Sequence, residues 1–361
     1  MFNILITAPS LNENVNISGI STITRTIISN NSAQHRYFHF RVGKKDGDKK
    51  NLKWLLNQVA LMPRFFFFII RNKIDFIHFN TDLTRLSILR DFPMVIAGSI
   101  LVQDRILLHI HGGHYLMNPP ARNTLFYYLI STMLKRAANN IVLSDIEENE
   151  IRKNFQRTST VMPNAVEVDG HIPAGPKEFS GKLQLFFMGR MVRSKGIFLI
   201  AEALVGLSAY FHAFDLQLYG TGPDLDEFVR QLSRIKGLSF YNNGIVKGAE
   251  KSKVVESSHI FLLPSLYGEG LPIAMLESMA SGCVPVVSDD ASIGTVVKHG
   301  VSGYICTKGS SAALSTNLIR VFEQRDELQQ LSKNAQKAIA ESCNLQNYIA
   351  DLNQLYKPSG R

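Results

Sequence analysis

The sequence predicts an α/β protein made of two doubly wound domains, each a parallel sheet flanked by helices. Three observations predict it. Short apolar runs alternate with helix-period patterns along the chain, the rhythm of successive βαβ units. The 361 residues are 45% hydrophobic and 19% charged, ample for two cores at roughly 100–200 residues per domain. Residues 161–176 break the rhythm, because Pro163, Gly170, Pro173, Gly175 and Pro176 fall there without periodicity. Domains are therefore expected at 1–165 and 166–342, with 343–361 a terminal helical segment.

Each element follows from its local pattern. Runs of four to six apolar residues predict buried strands at 2–7, 37–42, 75–79, 105–109 and 140–143 in the first half. Helices are expected between them at 21–30, 52–72 (interrupted at Pro63), 83–101 (interrupted at Pro93) and 123–138. In the second half, strands read at 183–188, 215–219, 238–241, 260–263, 284–288 and 303–306, with a helix at 197–207. Near the end Leu345, Tyr348, Ile349, Leu352, Leu355 and Tyr356 form one apolar stripe, so the last helix packs on something.

Composition excludes several classes. Three scattered cysteines (Cys283, Cys306, Cys343) make neither a disulfide framework nor a zinc site, and a reducing compartment fits. No apolar run approaches the roughly 18 residues that span a bilayer. The chain opens on a strand pattern rather than a leader, and a cytoplasmic location is expected. Residues 1–165 hold 20 Lys+Arg and 11 Asp+Glu, so the whole net charge of +9 belongs to that half. Such asymmetry points to a polyanionic surface, either nucleic acid or an anionic membrane. No helix-turn-helix, zinc-finger or RNA-binding signature is present. Lys44, Lys45, Lys49, Lys50, Lys53, Arg64, Arg71 and Lys73 instead accompany Trp54 and the run 65–70. Basic residues beside aromatics suit an anionic bilayer, and they also fit a core helix pair with a charged rim.

Three turns carry chemistry, each after a strand and so at the carboxyl edge of a sheet, where doubly wound folds bind ligands. The stretch 264–285 leaves a buried strand, turns through Gly268-Glu269-Gly270 and enters a helix near Pro272, a residue suited to a first helical turn. Glu269 is placed at the strand end and Glu277 inside the helix. The backbone N–H groups of Gly270 and Leu271 are positioned to face an anion. In 188–196, Arg190 and Lys195 offer a guanidinium fork and a mobile ammonium, a pair suited to a diphosphate. In 219–224, Gly220 and Gly222 permit close backbone approach to a flat or anionic group.

Together these turns resemble the retaining, nucleotide-sugar-dependent glycosyltransferases of the GT-B fold, family 4. Glu269 and Glu277 match the Glu-x7-Glu motif, Gly189, Arg190, Lys195 and Gly196 its G-R-x-x-x-x-K-G turn, and Gly220, Gly222 and Pro223 its G-x-G-P turn. The resemblance implies two Rossmann-like domains facing across a cleft, with the last helix returning to the first domain. It implies that Arg190 and Lys195 bind the donor diphosphate, Glu277 the ribose, and Glu269 the transferred sugar. Gly270, Leu271 and Pro272 would approach sugar and phosphate, with the base near 243–246, at Ile245. In the first half the loop 16–22 resembles the family's glycine loop at Gly19, although Ser18-Gly19 stands where many relatives have two glycines. His111, in His109-Ile-His-Gly-Gly-His114, matches the cleft histidine. Strand alternation puts His109 and His111 on one face, but no carboxylate follows closely, so no metal is expected.

The resemblance further implies a nucleotide-sugar donor and a glycan or glycolipid acceptor, with neither cofactor nor nucleic acid. The enzyme would lie in the cytoplasm or peripherally on the inner face of the plasma membrane. Catalysis would fall to Glu269, His111, Arg190 and Lys195. Thr295 stands where relatives often carry a glutamate, which puts donor contact from that loop in doubt. Asp46 and Asp48 form a D-x-D, but inside a polar basic loop, where a solvated turn is expected. A sugar-nucleotide epimerase of similar fold, or a non-catalytic nucleotide-sugar-binding subunit, is the alternative; neutralising Glu269 discriminates, since a binding subunit has no turnover to lose.

Overall fold

A computed structural model describes residues 1–13, 16, 18–43, 60–103, 105–167, 176–290 and 292–357. Asp46, Asp48, Trp54 and the start of the helix expected at 52–72 lie outside these residues, as do Ile17, Gly170, Pro173 and Gly175. The chain forms two compact units, Met1–Asn164 with Gln346–Arg361, and Ala165–Leu345.

The first unit runs β1 (Asn3–Ala8), α1 (Gly19–Asn31), β2 (Arg36–Arg41), α2 (Leu61–Arg71), β3 (Phe76–Thr81), α3 (Arg85–Leu101), β4 (Ile106–Ile110), α4 (Leu125–Arg136), β5 (Asn139–Val142), α5 (Asp145–Phe155) and β6 (Thr160–Val161). Its six strands are parallel, in the order β2-β1-β3-β4-β5-β6. Both faces of such a sheet are covered, so β3 and β4 are buried at every position. Helix starts are fixed by side chains: Ser18 caps α1 by accepting from Ser21 N, and Ser144 caps α5 by accepting from Glu147 N. The Glu147 carboxylate accepts in return from Leu143 N at 2.8 Å.

The second unit runs β7 (Leu183–Met188), α6 (Ile197–Val205), β8 (Phe214–Tyr219), α7 (Leu225–Ser233), β9 (Phe240–Asn242), α8 (Gly248–Ser257), β10 (Ile260–Leu263), α9 (Ile273–Ala280), β11 (Val284–Ser288), β12 (Tyr304–Cys306), α10 (Ser311–Glu323) and α11 (Arg325–Ser342). Its strands are also all parallel, in the order β12-β11-β10-β7-β8-β9. The chain leaves β7 toward one edge and β10 toward the other, so their carboxyl ends border the crevice of a topological switch point. The final helix, α12 (Leu345–Leu355), belongs with the first unit: Asn353 exchanges hydrogen bonds with Asn31, and Tyr356, fully buried, bonds His78 Nδ1 at 2.7 Å.

Three readings are corrected. Pro93 does not interrupt α3, which is continuous; the carbonyl deprived of its partner belongs to Leu89, which is half exposed and so open to water. Pro63 lies in the first turn of α2, where its missing N–H costs no helical bond. Pro272 precedes α9 as its cap residue, with extended ψ of 121°, instead of occupying the first turn. The two-residue strand β6 carries no periodicity to read and exists only by pairing with β5.

Candidate active site

Three turns are sewn together at the carboxyl ends of β7, β8 and β10, and glycines make the seam. Gly196, at φ +70°, lies so close to the next turn that a Cβ would sit 1.8 Å from Pro264 O. A Cβ on Gly220 would stand 1.9 Å from Gly189 O, and one on Gly222 2.2 Å from Met191 O. Main-chain bonds hold the seam, Leu266 N donating to Ser194 O (2.8 Å) and Met191 N to Thr221 O (2.9 Å). The sequence reading gave Gly220 and Gly222 to the approach of a ligand; the backbone they admit is that of the neighbouring turn.

This seam sets the charged groups. Lys195 Nζ donates to Glu269 Oε1 at 2.5 Å, although 74 residues separate them in sequence. Ser265 Oγ donates to the same oxygen at 2.6 Å, and Glu269 N donates to Asp290 Oδ2 at 3.1 Å. Lys308 Nζ in turn pairs with Asp290 Oδ1 at 2.5 Å. Glu269 and Asp290 are both buried, and each carries a cation, as buried carboxylates require. Glu277, in α9, pairs with Lys251 of α8. Arg190 is exposed just beyond β7, Gly270 and Pro272 are half-buried beside Glu269, Leu271 is buried, and Ile245 is exposed in the turn after β9. Ser265, Asp290 and Lys308 were missed in the sequence. The signal for Ser265 was its place four residues before Glu269; Asp290 and Lys308 left none, because only the β10–β11 and β11–β12 pairings bring them near.

The first unit holds a separate constellation on β3 and β4. Asn80 Nδ2 donates to Thr7 O at 2.8 Å, which leaves its Oδ1 as acceptor for His111 Nε2 at 2.7 Å. The bond assigns the proton of a neutral His111 to Nε2 and leaves Nδ1 as a base that can accept from a hydroxyl. Burial pushes His111 down to about 3, so the ring is neutral around pH 7. Behind it the His109 ring lies tilted at a 4.0 Å centroid distance and stacks on His78, with His109 Nδ1 meeting His78 Nε2 at 3.2 Å. Burial likewise holds His78 down at about 3 and His109 well below the ordinary histidine range. His114 lies outside this stack, exposed at the start of a one-turn helix, His114–Met117. Asn80 was not read from the sequence. Gly19 begins α1 beyond β1, and a Cβ there would meet nothing within 4 Å. Among the described residues no three His, Cys, Asp or Glu side chains gather as a metal site, and no helix is long and apolar enough to cross a membrane.

Two parallel six-stranded sheets, with paired charges over the switch point of the second, define the class: the fold is that of the GT-B glycosyltransferases. Residues 171–338 match the family described as glycosyl transferases group 1, and the chain is a glycosyltransferase. It is 23% identical over 299 residues to an uncharacterized glycosyltransferase of Methanocaldococcus jannaschii, across 78% of this chain and 76% of that protein. It is 27% identical over 158 residues to the amylovoran biosynthesis glycosyltransferase AmsK of Erwinia amylovora, across 39% of this chain and 36% of that protein. It superposes on Anabaena HepE, solved in complex with UDP-glucose, with a TM-score of 0.74 at 15% identity over 98% of this chain and 99% of that one.

Proposed function

We propose that the protein transfers a sugar from a nucleoside-diphosphate-sugar to a hydroxyl of a lipid-linked glycan in cell-surface polysaccharide synthesis, with retention at the anomeric carbon. The observation that carries the donor half is the Lys195–Glu269 pair over the β7/β10 switch point. An ammonium and a carboxylate held together there can each take a different end of a nucleotide sugar, the ammonium a phosphate and the carboxylate the sugar hydroxyls. Arg190, at the exit of β7, adds a bidentate fork for the diphosphate.

Negative charge grows on the departing diphosphate as the glycosidic bond breaks, and preorganised cations stabilise it without reorganisation. Glu277 takes the ribose hydroxyls, Gly270 to Pro272 line the sugar and phosphate, and Ile245 flanks the base. In the first unit, Gly19 is assigned to phosphate and His111, through Nδ1, to a sugar hydroxyl. Neither metal nor cofactor enters this scheme. The AmsK likeness supports the polysaccharide context, and HepE, with its bound UDP-glucose, supports the donor class.

Calorimetry with UDP, GDP and ADP tests the reading. One nucleotide should bind selectively, and Arg190→Ala/Lys195→Ala should weaken it at least about tenfold, or about 1.4 kcal/mol. A folded protein that binds none of the three would overturn it.

A further inference from the structure

We infer that the outer face of α2, α3 and α4 is a docking surface for an anionic lipid bilayer. The inference deepens the reading of a lipid-linked acceptor and is tested apart from it.

α3 packs between α2 and α4 on one side of the first unit's sheet. A helix so placed ordinarily turns a polar stripe to water. The outward stripe of α3 is instead apolar along its length: Leu86, Leu89 and Ile100 are exposed, and Pro93 and Ile96 between them are half-buried. The neighbours continue it. On α2, Phe65 and Ile69 turn into the core while Phe66, Phe67 (69% exposed) and Ile70 face out. On α4, Leu125 and Tyr128 are exposed. Consecutive phenylalanines in this chain are thus divided between core and surface, and eight large apolar side chains share one helical layer, which marks an interaction surface.

Charge selects the partner. Arg64, Arg71, Lys73, Arg85, Lys135 and Arg136 are exposed on or beside these helices. The acids in the same stretch are Asp91, buried and paired with Arg90, and the half-buried Asp75 and Asp82, so exposed cations prevail. A second copy of the chain docked by the same face would set cations against cations. An anionic bilayer offers phosphates to the arginines and acyl chains to the exposed rings.

The test is cosedimentation of the full chain with phosphatidylcholine vesicles, with and without phosphatidylglycerol, beside sedimentation velocity without lipid. Phosphatidylglycerol vesicles should bind the protein, and salt should weaken binding. Phe67→Ser/Ile70→Ser and Arg64→Ala/Arg71→Ala should each weaken it about tenfold or more, while nucleotide binding by calorimetry stays that of the wild type. Absence of vesicle binding, equal binding to neutral vesicles, or unaffected variants would overturn the inference. So would a dimer abolished by Phe67→Ser/Ile70→Ser in a protein that ignores vesicles. Loss of nucleotide binding by the wild type would instead strike the transferase reading and leave the surface standing.

Discussion

Glu269 is held from three directions, by Lys195, Ser265 and, through its backbone N–H, Asp290. The geometry separates two kinds of substitution. Glu269→Gln removes the charge that would meet the sugar, so transfer should fall by roughly two to three orders of magnitude, with a far smaller change in affinity for the bare nucleotide. Asp290 touches the Glu269 loop and Lys308, and acts by positioning. Asp290→Ala should lower kcat about tenfold with little change in nucleotide Kd, and Asp290→Asn, which keeps an acceptor oxygen, should recover part of it. Steady-state kinetics beside calorimetry separates the two. Equal loss of kcat and nucleotide affinity in Asp290→Ala would instead mean that the loop collapses.

At the scale of elements, glycines with similar sequence signals have opposite duties. Gly196 is in the left-handed region, and a Cβ there would overlap Pro264 O at 1.8 Å. Gly196→Ala should therefore cost about 2–4 kcal/mol in urea unfolding and part the β7 turn from the β10 turn. Gly19 opens α1 with open space where its Cβ would be, and Gly19→Ala should leave stability unchanged or raise it by a few tenths of a kcal/mol. Any loss of nucleotide affinity in Gly19→Ala then reports on the approach of a ligand. A Gly196→Ala protein as stable as wild type would refute the seam.

At the scale of the molecule, α12 and the histidine stack tie the end of the chain to the first sheet through Tyr356 and His78. His78 and His111 are lowered to about 3 from an ordinary value of 6.5, chiefly by burial. A histidine lowered on folding takes up its proton more readily in the unfolded chain. Its contribution is therefore whole above about pH 6.5 and is lost as pH falls from there toward 3. For fully buried His78 the loss from pH 7 to pH 5 is about 2 kcal/mol. Urea midpoints should fall over that interval, and His78→Phe should flatten the fall. An unchanged midpoint between pH 7 and pH 5 would show that the stack is charged or open.

Much of the plan was legible because burial leaves a one-dimensional trace. Strands sheltered on both faces must be continuous apolar runs, so β7, β10 and β11 could be bounded to the residue and β1 to β5 within a position or two. The turns that follow them displayed Arg190, Lys195, Glu269 and Glu277 because a strand end followed by glycine and charge is a local pattern. The sequence could not say that Lys195 and Glu269 meet, that Asp290 holds the loop, or that Asn80 fixes the proton of His111. Those contacts span between 21 and 74 positions and exist only because particular strands lie side by side. Nor could it divide Phe65 from Phe66 and Phe67, since a run of identical residues has no periodicity until a sheet gives the helix an inside. Sequence determined which residues are apolar, charged or conformationally free; tertiary structure decided which of them meet, because strand order and helix rotation are set by packing between segments far apart in the chain.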